Sequence, residues 1–362
     1  MNIRHRPFRA AILSCLGAIW AVSLPGGCPA MPGDGMPPPG PIGGDFASAT
    51  LLKLDAEGKV KLASALAGEK VDVYDLGPVS AGDRVMVSIV PAAGSVMDPI
   101  AALFDANEEL FAVNDDVNYP AQLDSAIDDV VAADSPRFFL GVAKYQDEGA
   151  YEGTVQILRG QGVPVPLAQY VLLNFDGGTV NIPSEGGPIT VEAFNSADVD
   201  PAYAGDTNAI KVKIAQTVRQ NFQPFNIEIV TSDEPAPPGD CLSTIFFGGS
   251  NTLKFGVAES VDQGNRDRCD DGIVFTNDFD DPFFPQPTTE GIGIAIGNVA
   301  AHEAGHLLGL NHVADVADVM DSTGTASTLL ADQEFKTSVL VGQIFPIGKQ
   351  NGPAILRRVL PP

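Results

Sequence analysis

Basic side chains, histidine, tryptophan and cysteine are all scarce in this chain, and each scarcity narrows what it can be. Against 46 Asp and Glu stand 21 Lys and Arg, a formal net charge of −25. Phosphate binding needs clustered cations to displace counterions, so this balance speaks against nucleic acid as a partner. A soluble, well-hydrated surface is the ordinary consequence of such acidity. Beyond the N-terminal leader there is no apolar run of about 18 residues, so nothing after it is expected to span a membrane. The single tryptophan, Trp20, lies in that leader. Of four histidines, His5 sits near the N-terminus and the other three, His302, His306 and His312, fall within one short stretch, "HEAGHLLGLNH". The remainder is ordinary: 362 residues, 44% hydrophobic and 19% charged, describe a globular chain long enough for two domains.

Residues 1–28 read as an export signal. Arg4, Arg6 and Arg9 form a basic start, "AAILSCLGAIWAVSL" an apolar core too short to favour a membrane-spanning helix, and "PGGC" a small-residue cleavage zone. "SLPGGC" is similar to the lipobox of bacterial lipoproteins. Gly27 and Cys28 fit it, whereas Pro25 departs from it. Two outcomes stay open: a lipid on Cys28 tethering the protein to the membrane at the bacterial envelope, or plain secretion. With Cys15 in the leader and Cys28 lipidated, Cys241 and Cys269 remain, and an exported protein keeps such thiols oxidised. One Cys241–Cys269 disulfide is expected.

Residues 29–44, "PAMPGDGMPPPGPIGG", are mostly Pro and Gly and read as a linker. From 45 to 160 short apolar runs alternate with turn residues: "VDVYDLG", "DRVMVSIV", "IAALFD", "RFFLGVA" and "YEGTVQIL". Their period near two and β-branched content predict an all-β sandwich. This stretch resembles the pre-peptidase C-terminal domain of bacterial secreted peptidases, through "VDVYDLGPVSAGDRVMVSI", "DPIAALFDANEEL" and "GAYEGTVQI". Here it would precede the enzyme instead of following it, as an accessory or tethering module. The acidic stretch "NDDVNYPAQLDSAIDD" is either a solvated loop or a calcium site, since hard cations want several carboxylate or carbonyl oxygens. "DQGNRDRCDDG" and "NDFDDP" pose the same choice.

After "RGQGVPVP" the pattern changes. "YVLLNF" predicts a buried strand, and Ile210, Ile214, Val218 and Phe222 recur at helical spacing within "TNAIKVKIAQTVRQNF". "FNIEIV", "STIFFG", "LKFGVA" and "GIVFTN" supply four more strands. "PTTEGIGIAIGNVAAHEAGHLLG" is expected to be helical in its second half, and "STLLADQEFK" and "NGPAILRRVL" to be later helices. Residues 165–362 thus predict an α/β domain with a helix packed under its sheet.

His302 and His306 are one helical turn apart on one face, able to reach a single zinc at about 2.0–2.1 Å. Gly309 marks where the helix must stop and the chain turn, bringing His312 back as a third ligand. Three neutral nitrogens leave a fourth position for water, as a catalytic zinc requires. H-E-x-x-H-x-x-G-x-x-H is the signature of the metzincin zinc metallopeptidases, and His302, Glu303, His306, Gly309 and His312 fill every fixed place. Met320 suits the methionine turn that metzincins carry beneath the metal. The resemblance, closest in feel to matrixin- or reprolysin-like bacterial enzymes, covers roughly residues 165–345. It implies a mixed five-stranded sheet, an active-site helix and a C-terminal subdomain. It also implies one catalytic Zn2+, Glu303 as general base for the water on that metal, and protein or peptide substrates laid along the sheet edge at Leu253–Ser260.

Where some metzincins have an oxyanion-binding Tyr two residues after the Met, this chain has Ser322, and no cysteine between Cys28 and Cys241 is available to act as a prodomain switch. Asp315, Asp318 and Asp321 are either turn residues or acceptors for the ligand imidazoles. No feature implies an obligate oligomer. The competing reading is a surface adhesion or carbohydrate-binding lipoprotein on an inactive metzincin scaffold.

Overall fold

The computed structural model describes residues 45–117, 121–235, 237, 241–279, 282–283 and 285–362. The leader, Cys28 and the 29–44 linker lie outside the described residues. Nine strands form the N-terminal layers: β1 (Thr50–Leu51), β2 (Lys59–Leu66), β3 (Asp72–Asp75), β4 (Arg84–Pro91), β5 (Asp98–Phe104), β6 (Leu110–Asn114), β7 (Ser125–Val130), β8 (Phe139–Gln146) and β9 (Gly149–Leu158). They make a five-stranded sheet, β1-β3-β8-β5-β6, facing a four-stranded one, β2-β9-β4-β7. Alternation sets the core between them: Val85, Val87 and Ile89 of β4 and Tyr151, Val155 and Ile157 of β9 point inward.

β5 does not alternate, because all seven of its residues are buried. Ala101 and Leu103 face the inter-sheet core, while Ile100, Ala102 and Phe104 join a second core on the outer face. That outer core is completed by Leu340, Val341, Ile344 and Phe345 from the far end of the chain. A continuous apolar strand is what burial on both faces demands.

The second part is built on a five-stranded sheet, with β10 (Tyr170–Asn174), β13 (Glu228–Thr231), β14 (Ser243–Phe247), β15 (Gly256–Ala258) and β16 (Asp271–Val274) in the order β13-β10-β14-β16-β15. All neighbours are parallel except β15, which runs antiparallel along the edge. A hairpin of β11 (Gly178–Ile182) and β12 (Gly187–Val191) covers one face, through Val180, Ile182 and Val191 against Phe246, Val257 and Ile273. The other face carries α2 (Thr207–Phe222) and α3 (Thr289–Leu307), preceded by a short α1 (Ser196–Val199). α2 spans the predicted segment and buries Ile210, Ile214, Val218 and Phe222. β17 (Thr337–Val339), β18 (Lys349–Asn351) and α4 (Gly352–Val359) complete the chain. Cys241 and Cys269 are joined as a disulfide.

Two helical expectations need correction. α3 begins at Thr289, not midway through its segment, with the Thr288 hydroxyl accepting from the Gly291 N–H at 3.1 Å. "STLLADQEFK" yields only a 3-10 turn, Ala326–Leu330. The Asn298 side-chain amide takes the carbonyls of Leu329 and Ala331, both at 2.9 Å, which a longer helix would need for itself.

The glycines that hide the start of α3 serve its packing. A Cβ on Gly293 would lie 2.7 Å from Lys213 Cβ, and one on Gly297 2.7 Å from Thr217 Cβ. α2 and α3 therefore cross nearly backbone to backbone, with Asn221 donating to the Asn298 amide oxygen at 3.2 Å inside the contact. Gly297→Val should destabilise the protein by about 1–3 kcal/mol through overpacking. Urea unfolding measures this, and an unchanged midpoint would contradict so close a crossing.

Candidate metal centre

α3 carries His302, Glu303 and His306 in its last turns and then stops in a Schellman motif. The Leu310 N–H donates to the Gly305 carbonyl and the Gly309 N–H to the His306 carbonyl, both at 2.9 Å, with Gly309 at φ +88°. Glycine is needed there twice over, because a Cβ would sit 2.7 Å from the Asp262 carbonyl oxygen as well. The reversed chain runs on through His312. Val313 donates to the Met320 carbonyl at 3.0 Å and Ala314 to that of Val339 at 2.8 Å, so His312 enters the site from an extended segment held on both sides.

The turn gathers the three imidazoles. Their Nε2 atoms form a nearly equilateral triangle with sides of 3.1, 3.0 and 3.1 Å. They are the only group of three or more His, Cys, Asp or Glu among the described residues whose ligand atoms converge. His302 Nδ1 donates to the Val319 carbonyl at 2.7 Å and His306 Nδ1 to that of Leu310 at 2.8 Å, which turns both Nε2 lone pairs inward. Burial pushes all three imidazoles down, His312 to about 3 and His306 well below the usual range, the charge of neighbouring imidazoles adding to the effect on His306 and His312. They are therefore neutral acceptors. Neutral acceptors this close, with no proton to share, fit a cation at their centre: tetrahedral zinc with bonds of about 2.0–2.1 Å spaces its nitrogens by about 3.3 Å.

Glu303 lies beside them, 4% exposed. β15 passes so near that a Cβ on Gly256 would meet Glu303 Oε1 at 2.5 Å, and Oε2 is buried with no hydrogen-bond partner. Burial pushes this carboxyl up to about 8, while the Lys254 ammonium and the Ala258 N–H pull it down. A buried carboxylate oxygen without a partner, one residue from a converging imidazole, fits a site that takes a cation and its water. Lys254 carried no signal in the sequence. It is placed by Glu185, whose Oε1 it approaches at 2.6 Å.

Met320 is fully buried under the helix, where a Cβ on Gly305 would touch its Sδ at 2.5 Å. The three aspartates considered as imidazole partners are occupied otherwise. Asp318 accepts from the Ser338 hydroxyl at 2.7 Å, Asp315 pairs with Lys336 at 3.1 Å, and Asp321 caps its own turn through Thr323 and Gly324. They fix the loop that presents the Val319 carbonyl; backbone oxygens, not carboxylates, orient His302 and His306. Ser322 donates only its N–H, to the Val313 carbonyl at 3.3 Å.

Residues 203–336 match the family model of the matrixins, so the metzincin resemblance stands for that stretch. No curated protein matches the chain. Among solved structures, a zinc-dependent peptidase from Methanocorpusculum labreanum is 10% identical, the overlap covering 52% of this chain and 100% of that one, with a TM-score of 0.29. Archaemetzincin from Methanopyrus kandleri is 14% identical over 46% and 88%, with a TM-score of 0.27. The pre-peptidase C-terminal domain of a Bacillus anthracis collagenase is 17% identical over 30% and 94%, with a TM-score of 0.23.

Among the described residues the three acidic stretches bring no set of three carboxylates together. Residues 118–120 and 280–281 of two of them lie outside the described residues, and the choice between calcium site and solvated loop stands as the sequence left it. Several of these groups are buried even so. Burial pushes Asp262 up to about 7 and Asp270 to about 8, and burial with the Asp116 charge pushes Asp115 to about 7. In an unfolded chain such groups titrate near 3.9. Their folded values are raised, so the stability they confer is fully present below about pH 4 and is lost as pH rises through 7 to 8. The protein should unfold in less urea at pH 8.5 than at pH 6.5, each group contributing at most about 1.4 kcal/mol per pH unit below its folded value and nothing further above it. Asp270→Asn should flatten that dependence, and a variant with the parent's slope would contradict the assignment.

Proposed function

We propose that this chain is an exported zinc-dependent endopeptidase. The observation that carries the reading is the convergence of three neutral Nε2 atoms beside a buried carboxylate whose Oε2 has no partner. The matrixin match over residues 203–336 supports it. His302, His306 and His312 would hold the zinc, which when bound supplies Lewis-acid polarisation of a peptide carbonyl and acidifies a water.

Glu303 does the proton work. Its Oε2, without a hydrogen-bond partner, would accept a proton from the attacking water and return it to the nitrogen of the leaving amine. Burial opposes ionisation of Glu303 and raises its carboxyl above the usual range. The nearby Lys254 ammonium, and a cation held by the three imidazoles, would favour the carboxylate that acts as base. β15 forms the sheet edge and packs against Glu303, so an extended peptide adding to that edge would pass its backbone in front of the carboxylate. That mode takes affinity from main-chain hydrogen bonds and fits protein or peptide substrates of varied sequence.

Glu303→Gln keeps the shape of the side chain and removes its basicity. We expect a loss of about 10²–10⁴ in the rate of casein or peptide hydrolysis, with bound zinc retained. A chelator should abolish the parent's activity, and zinc should restore it. A Glu303→Gln protein as active as the parent would eliminate the mechanism and leave the scaffold to adhesion or carbohydrate binding.

The same reading includes export through residues 1–28, with Cys28 as the lipid-bearing residue, on the strength of "SLPGGC". Mass spectrometry of the mature N-terminus decides this: a diacylglyceryl adduct on Cys28 is expected. A mature chain that still carries residues before Cys28, or an unmodified Cys28, would exclude the tether.

A further inference from the structure

The turn that carries the second and third imidazoles is gripped from outside its own domain. Gln263, in the loop between β15 and β16, makes a two-point amide contact with one residue of the sandwich. Its Oε1 accepts from the Val113 N–H at 2.9 Å and its Nε2 donates to the Val113 carbonyl on β6. The adjacent Asp262 N–H donates to the His306 carbonyl at 3.0 Å, and the backbone of Asp262 and Gln263 is what a Cβ on Gly309 would strike, at 2.7 and 2.9 Å. One peptide step thus joins a strand of the sandwich to the end of the helix that bears the metal ligands.

A second glutamine repeats the device on the other side. Gln350 of β18 is 1% exposed, accepts from the Asn311 N–H at 2.7 Å and donates to the Asn311 carbonyl at 2.7 Å. Asn311 immediately precedes His312. Both neighbours of Gln350 are fastened to the sandwich: the Lys349 N–H donates to the Glu108 carbonyl at 3.1 Å, and the Asn351 amide donates to Glu109 at 2.9 Å. The segment between β17 and β18 is seated in the outer core against β5 and β8, where a Cβ on Gly141 would lie 2.7 Å from the Phe345 ring.

Resting on the zinc reading of the site, we propose that the β-sandwich is a positioning element of the metal centre, acting through Gln263 and Gln350. Each glutamine satisfies a buried backbone N–H and C=O pair as a rung of a sheet would. Losing the amide leaves both groups unpaired and frees the turn on which His306 and His312 depend. A tethering module joined only by a linker would have no need of either contact.

Zinc affinity of the full mature protein, measured by competition with a chromophoric chelator, tests this. Gln350→Met and Gln263→Met keep the side-chain bulk and remove the amide. Each should weaken zinc binding about 10–100-fold, the range for partners that orient metal ligands. The control is Val155→Ala, which opens a cavity in the inter-sheet core away from both contacts and should lower the unfolding midpoint while leaving zinc affinity at the parent's value. Methionine variants that bind zinc as tightly as the parent would overturn the proposal. So would a Val155→Ala protein weakened as much as they are, because the effect would then be one of general stability. Should a methionine variant fail to fold, Gln350→Glu and Gln263→Glu, which keep an acceptor and lose the donor, are read by the same criteria. A parent that binds no zinc would defeat the metal site itself and is distinguishable from all of these.

Discussion

Three imidazole lone pairs held 3.0–3.1 Å apart are the constraint on which the rest of the structure depends. With no proton among them and no charge of their own, the three acceptors repel, and nothing in their own chemistry holds them together. The protein supplies the force from elsewhere. The Gly309 turn sets the reversal, the Val319 and Leu310 carbonyls take the outward nitrogens, and the full burial of Leu307, Leu308 and Leu310 anchors the backbone between them. The arrangement is pre-organised: the cost of bringing the donors together is met on folding, which leaves the metal only its bonds to form.

The same economy explains Glu303. A carboxylate with a free Oε2 in a buried site is destabilising unless something keeps it in place. Here β15 lies flush against it because residue 256 has no side chain, and Lys254, held by Glu185, supplies a compensating charge at a distance. On the proposed reading, the edge that would accept an extended peptide also confines the carboxylate that would transfer the proton, so binding and chemistry would be coupled through the contact of β15 with Glu303.

The centre was legible in the sequence where its parts are close along the chain. The i, i+4 imidazoles, the glycine three residues on and the third histidine are local facts about one helix and its stop, and the structure brings them together. α2 was equally legible, because its apolar residues recur at 3.6 with no glycine to interrupt them. α3 was half hidden: Gly293 and Gly297 look like helix breakers until α2 is seen to need their space. β5 read as a strand, but nothing local said that its second face would be covered by residues more than 200 positions later. Gln263 and Gln350 were invisible altogether. Glutamine has no signature of its own, and their partners lie 150 and 39 residues away.

That contrast says where the division into two domains fails. By composition the chain splits near residue 160, and the inter-sheet core and the helix–sheet core are indeed separate clusters. The outer core respects no such boundary: it is built from Phe46, β5 and β8 on one side and Leu340 to Phe345 on the other. Arg358 crosses the same boundary, donating to the Phe111 carbonyl at 3.1 Å and lying over the Phe111 ring at 4.5 Å. The segment that returns to hold His312 therefore has its own apolar side chains buried against the sandwich, not against the sheet that carries the metal helix. Such a segment can keep its shape only while both parts are present, which makes the sandwich part of the site's architecture and not cargo attached to it.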